Sequence, residues 1–198
     1  MQDDLADGTH WAVAQGIADA RRVAINGISY GGYAALAGAA FTPDLYCCAI
    51  DVCGPSNLFT FAASRPAYFG LASGSWTARV GDPDRAEDHT LLTNTSPLFS
   101  AHKIRIPLLI GQGGNDAHVK PVQSEQIVAA IEKNGGRVSY VLYPNEGHGL
   151  RRTANRLDFA AREEVFLAEH LGGRFEPMLA ERHPGSSAIV REIGRLPA

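Results

Sequence analysis

Three residues carry side chains that together can transfer an acyl group: a serine, an aspartate and a histidine, each set among glycines. Gly27-Ile28-Ser29-Tyr30-Gly31 follows the apolar run "RRVAIN" and leads into the alanine-rich "GGYAALAGAAF". In a G-x-S-x-G turn between a strand and a helix, the serine hydroxyl is lifted above the sheet. The amide of the next residue, Tyr30, then points with the helix N-terminus at an oxyanion forming on a substrate. A hydroxyl is a poor nucleophile without a base, and the base needs a carboxylate to orient it. Asp116 in "GQGGNDAHV" and His148 in "YPNEGHGL" supply these types in the order serine, acid, histidine. Each lies on a loop after an expected strand, at the edge where parallel sheets carry their sites.

Plainer readings stand beside these. Asp116 also fits an Asx-turn in a loop, and His148 a turn histidine between glycines. Asp51 ends an expected strand and is a lower-ranked alternative acid, while Glu146 reads as a turn-forming or solvated residue. His10, His89, His102, His118, His170 and His183 read as solvated or helix-surface groups. In "LFTFAASRPAYFG", Phe59, Phe61 and Tyr68 are candidates for the apolar walls of a substrate pocket, or else ordinary packing. Cys47, Cys48 and Cys53 read as reduced core residues without metal-ligand spacing. Acyl transfer by such a triad needs neither a metal nor an organic cofactor, and none is expected.

The elements that must position these groups alternate. A helical pattern over residues 5–18 precedes the strand "RRVAIN" and the helix "GGYAALAGAAF"; "LYCCAIDVCG" is a second strand. Residues 56–101 are irregular. "IRIPLLIGQGGND" is a third strand, "PVQSEQIVAAIEKNGG" a helix stopped by paired glycines, and "RVSYVLYP" a fourth strand. "TANRLDFAAREEVFLAEHLGG" is a long amphipathic helix. Continuous apolar strands alternating with helices predict an α/β fold, a parallel sheet covered on both faces. The expected domain spans 1–175, followed by an extended polar tail over 176–198.

The 198 residues are 45% apolar, enough for one domain with a real core. A net charge of −3, a pI near 6.1 and the lack of basic runs argue against a nucleic-acid partner. The acidic start "MQDDLADGTH" is the reverse of a signal peptide, and no stretch is long and apolar enough to span a bilayer. A cytoplasmic location without a membrane partner is the expectation.

"QDDLADGTHWAVAQGIADARRVAINGISYGGYAAL", "GQGGNDAHVKPVQSEQ" and "LYPNEGHGL" resemble the C-terminal catalytic domain of the prolyl oligopeptidase family, in its acylaminoacyl-peptidase and dipeptidyl-peptidase branches. The resemblance covers residues 2 to about 175. It implies an α/β-hydrolase fold, with Ser29 as nucleophile, Asp116 as orienting acid, His148 as general base, and short peptides as substrates. It also implies that only the C-terminal half of the usual sheet is present. The loop that carries the second oxyanion donor in that family has no counterpart here, and "DAHV" replaces the arginine-containing form usual after the acid. On this reading "RRVAIN" becomes an edge strand, so the expectation is a piece of a longer protein or a homo-oligomer that covers the edge. A peptidase is the first functional expectation; an esterase on small acyl esters and a non-catalytic remnant are the alternatives.

Overall fold

A computed structural model describes residues 2–64, 73–177 and 185–194. Its centre is a five-stranded sheet in which spatial order follows chain order. The strands are β1 (Ala24–Ile28), β2 (Cys48–Val52), β3 (Leu108–Gly113), β4 (Val138–Tyr143) and β5 (Ile189–Ile193). The first four run parallel, and β5 pairs antiparallel with β4. Five of the seven α-helices among the described residues are α1 (Gln2–Ala14), α2 (Tyr30–Phe41), α3 (Leu58–Ala63), α6 (Val122–Lys133) and α7 (Thr153–Leu171). Short α4 (Ser73–Val80) and α5 (His89–Thr95) lie with two 3-10 turns in the irregular stretch.

The period-two alternation of a strand sorts the core into two layers. Cys48, Ile50 and Val52 of β2 face one side, with Leu109, Val141 and Tyr143, and are covered by Phe159 and Phe166 of α7. Ala49, Leu108, Ile110 and Tyr140 face the other, beneath Leu36, Ala39 and Ala40 of α2 and Ile127, Val128 and Ile131 of α6. Each fully buried Leu or Ile contributes about 1.5–3 kcal/mol relative to exposure. The alanines of α2 have a different use: small side chains let the helix that begins at Ser29 lie close on the sheet. The glycine stops act as expected: Gly135 (φ 71) follows α6, with the Gly136 amide donating to Ile131, and Gly172 (φ 70) ends α7.

Two expectations change. Four strands become five, because Ile189–Ile193, inside the segment read as an extended tail, joins the sheet. Its exposed, charged sequence "IVREI" suits an edge strand and gives little apolar signal. The first helix stops at Ala14 rather than near residue 18 and buries none of its residues. The opposite edge is β1, which among the described residues pairs only with β2; its Ile28 is 55% exposed. Among the described residues no helix is long and apolar enough to cross a membrane.

Candidate active site

Ser29 sits between β1 and α2 with φ 60 and ψ −117, a conformation that a residue with a Cβ adopts only when its surroundings enforce it. Two glycines provide that enforcement. A Cβ on Gly27 would lie 2.2 Å from the Gly31 carbonyl oxygen, and one on Gly32 would lie 2.2 Å from Asp51 Oδ1. Gly31 itself meets nothing within 4 Å, so its place in the pentapeptide is not required by space. Ser29 also holds the N-cap position of α2, yet its side chain makes no capping bond. Its Oγ lies 2.8 Å from His148 Nε2 instead.

His148 Nδ1 lies 2.8 Å from Asp116 Oδ2. The other Asp116 oxygen, Oδ1, accepts from the His118 amide at 2.8 Å and the Val119 amide at 2.9 Å. Burial pushes the Asp116 carboxyl up, but the bonds from His148 and from these two amides outweigh it and hold the group below the usual carboxylate range. Asp116 is therefore ionised and only accepts. His148 must donate Nδ1–H to it, which leaves Nε2 bare to accept the Ser29 hydroxyl proton. The residue pairs are 119 and 32 positions apart in the chain, so the sheet alone brings them together.

The loops after β3 and β4 are tied to each other. Gly114 N–H donates to the Tyr143 carbonyl at 2.9 Å and Asn115 N–H to the Glu146 carbonyl at 2.8 Å; Asn115 Nδ2 donates to the Pro144 carbonyl at 2.8 Å. A Cβ on Gly113 would lie 2.0 Å from the Gly147 carbonyl oxygen, so glycine is needed for this approach. Of the two sequence readings of Glu146, turn-forming or solvated, the first fits: its amide donates to the Tyr143 carbonyl at 3.1 Å, and the residue is buried. Its carboxylate accepts from the Arg151 and Arg152 amides at 3.0 and 2.9 Å and from Asn155 Nδ2 at 2.7 Å. Burial pushes this carboxyl up, and those donors bring it below its ordinary value. Glu146 thus fastens the loop that carries His148 to the start of α7, a role that an acid in a turn does not advertise in sequence.

Asp51 lies under the serine turn, wholly buried, with Oδ1 accepting from Gly54 N–H at 2.7 Å and Oδ2 without a hydrogen-bond partner. Burial pushes it up to about 7 against the pull of the Gly54 bond. It makes no hydrogen bond to His148, whose acid partner is Asp116. Cys53, one residue past β2, has φ 54 and is also wholly buried. Burial pushes its thiol up to about 12, although the Gly149 and Gly113 amides donate toward it. Its sulfur, an Asp116 oxygen and a His148 ring nitrogen lie within 4.8 Å of one another, the one such mixed cluster among the described residues.

Tyr30 is the first residue of α2, so its N–H belongs to the helix end whose amides point out of the helix. The Tyr30 ring is half exposed and lies 5.6 Å from that of Tyr33, whose hydroxyl donates to the Thr95 carbonyl at 2.8 Å. Of the aromatics proposed as pocket walls, Phe59 packs edge-on against Phe99 and His89. Phe61 is partly buried on the same helix, and Tyr68 lies outside the described residues. A groove of about 420 Å³ runs below the β1 edge, lined by Asn26, Ile28, Leu150, Arg156, Phe159 and Glu163 among others.

A parallel sheet flanked by helices, with serine, histidine and aspartate aligned at its carboxyl edge, defines the α/β-hydrolase class. The chain belongs to the prolyl oligopeptidase family, whose model matches residues 1–174. It is 47% identical over 190 residues to dipeptidyl aminopeptidase BIII of Pseudoxanthomonas mexicana, covering 96% of this chain and 27% of that protein. It is 40% identical to dipeptidyl peptidase family member 6 of Caenorhabditis elegans, covering 98% of this chain and 26% of that protein. Among solved structures, a Mycobacterium tuberculosis puromycin-hydrolyzing peptidase is similar with a TM-score of 0.80 and 29% identity, over 91% of this chain and 26% of that one. The chain thus spans about a quarter of the length of these relatives.

Proposed function

We propose that this chain carries the triad-bearing part of a serine peptidase that cleaves short peptides through an acyl-enzyme on Ser29. The observation that supports it most is the continuous relay from Ser29 Oγ through both nitrogens of His148 to Asp116, at 2.8 Å each. Ser29 Oγ attacks the scissile carbonyl while His148 Nε2 takes its proton; the imidazolium that results is stabilised by ionised Asp116. The tetrahedral oxyanion is met by the Tyr30 N–H at the start of α2, where the helix dipole also favours negative charge. His148 then gives its proton to the leaving amine, the C–N bond breaks, and the acyl group stays on Ser29. Water, deprotonated by His148, releases the acid and restores the serine.

The name of one relative, a dipeptidyl aminopeptidase, directs the choice of substrate to short peptides from which a dipeptide is released. The test is release of chromophore from dipeptidyl anilides by the chain and by its Ser29→Ala form. Turnover lost on substitution is expected. Equal turnover by both forms, or cleavage of p-nitrophenyl acyl esters with anilides untouched, would overturn the peptidase reading.

A further inference from the structure

Cys53 has no part in acyl transfer, yet it lies directly behind the residues that do. Its sulfur, a carboxylate oxygen of Asp116 and a ring nitrogen of His148 all fall within 4.8 Å of one another. Within this cluster the His148 nitrogen that faces the carboxylate is Nδ1, 2.8 Å from Asp116 Oδ2. Thiolate, imidazole and carboxylate together form a donor set that suits a tetrahedral, thiophilic divalent ion and does not suit magnesium or calcium. Cys53 is held at φ 54 just past the end of β2, which sets where its sulfur lies. The His148 imidazole is 24% exposed, whereas the Asp116 side chain is fully covered.

We propose that Cys53, Asp116 and His148 form a binding site for a zinc-class cation, and that an ion bound there switches off Ser29. The inference rests on the reading of His148 as the base. The ion takes the place of the proton between His148 and Asp116. Cys53 gives up its thiol proton to solvent and becomes the sulfur ligand. Neutral His148 moves its N–H from Nδ1 to Nε2, so the ring keeps one proton and no electrons are transferred. Nε2 then faces Ser29 Oγ as a donor and has no lone pair to accept the serine proton. A site of this kind leaves no spacing motif, because its donors stand at positions 53, 116 and 148 and meet only through the sheet.

Cobalt(II), a coloured stand-in for zinc, tests the site without relying on turnover. Titration of the chain is expected to give a thiolate-to-cobalt charge-transfer band that saturates at one ion per chain, with release of about one proton per ion. The band should vanish in Cys53→Ala and persist in Cys47→Ala and in Ser29→Ala, the latter having lost the nucleophile but none of the ligands. Zinc should slow fluorophosphonate labelling of the unsubstituted chain by at least about tenfold, since a positioned general base contributes roughly 10²–10⁴-fold, and leave Cys53→Ala labelling unslowed. Absence of the band, its survival in Cys53→Ala, or a band with labelling unaffected by zinc would each overturn the proposal. A chain that never labels, with or without zinc, counts against the peptidase reading; the cobalt band and its loss in Cys53→Ala then decide the metal site separately.

Discussion

Ser29 stands where a serine would normally cap a helix, and its hydroxyl is spent on His148 instead. Forgoing the cap costs about 1 kcal/mol, and the positive φ adds about 1–3 kcal/mol. A position under selection for stability alone would not carry both. The same logic separates the carboxylates. Asp116 has three donors and is held low, whereas Asp51 has one and is pushed up to about 7. Asp116→Asn keeps the size but presents an amide to Nδ1 and permits the wrong tautomer. A fall of roughly 10⁴ in kcat with KM little changed is expected from steady-state assays. The glycines make opposite predictions. Gly27→Ala forces a Cβ to 2.2 Å from a backbone oxygen and should cost at least about 2 kcal/mol in denaturant unfolding. Gly31→Ala meets open space within a helix and should be neutral or stabilising by up to about 1 kcal/mol.

At the scale of elements, the site is held by the carboxyl ends of β1, β3 and β4 and by the bonds that join the loops after them. Gly113→Ala, which drives a Cβ into the Gly147 carbonyl, should lower thermal stability and the labelling rate of Ser29 together, since both loops shift. β2 contributes the pH dependence. Asp51 is raised from about 3.8 to about 7, so the folded chain holds a proton there that the unfolded chain loses. Stability therefore falls as pH rises from about 4 to about 7, by a few kcal/mol in all, and Asp51→Asn should flatten that slope in melts across the window. Asp116, lowered, acts in the reverse sense: its contribution is present above the ordinary carboxylate range and fades as pH falls through its folded value. The alternation of helix and strand, the serine turn and the order of the three site residues were legible in the sequence, because apolar strand interiors and glycine turns leave local signals. Glu146, Asp51 and Cys53 were not, since their roles depend on what lies across the sheet. β5 was hidden for a similar reason: "IVREI" becomes a strand only because β4 offers it an open edge.

For the whole molecule, the open edge is the consequence that matters. Among the described residues β1 pairs on one side only, Ile28 on it is 55% exposed, and Trp11 of the lightly packed α1 is 60% exposed. Unpaired amides beside apolar surface form a template for another strand. We propose that the chain associates through this edge. Light scattering should find an oligomer that shifts toward monomer in Ile28→Lys, and a monomer at all concentrations would contradict it. Association there leaves the relay from Ser29 to Asp116 intact, because that relay is built from β1 toward β4, away from the open side. The most direct measurement is intact-mass and peptide-level mass spectrometry of the chain after exposure to a fluorophosphonate. The account predicts a single covalent adduct on Ser29, absent from Ser29→Ala and strongly slowed in His148→Ala. An unmodified chain, or an adduct that forms at the same rate without His148, would contradict it.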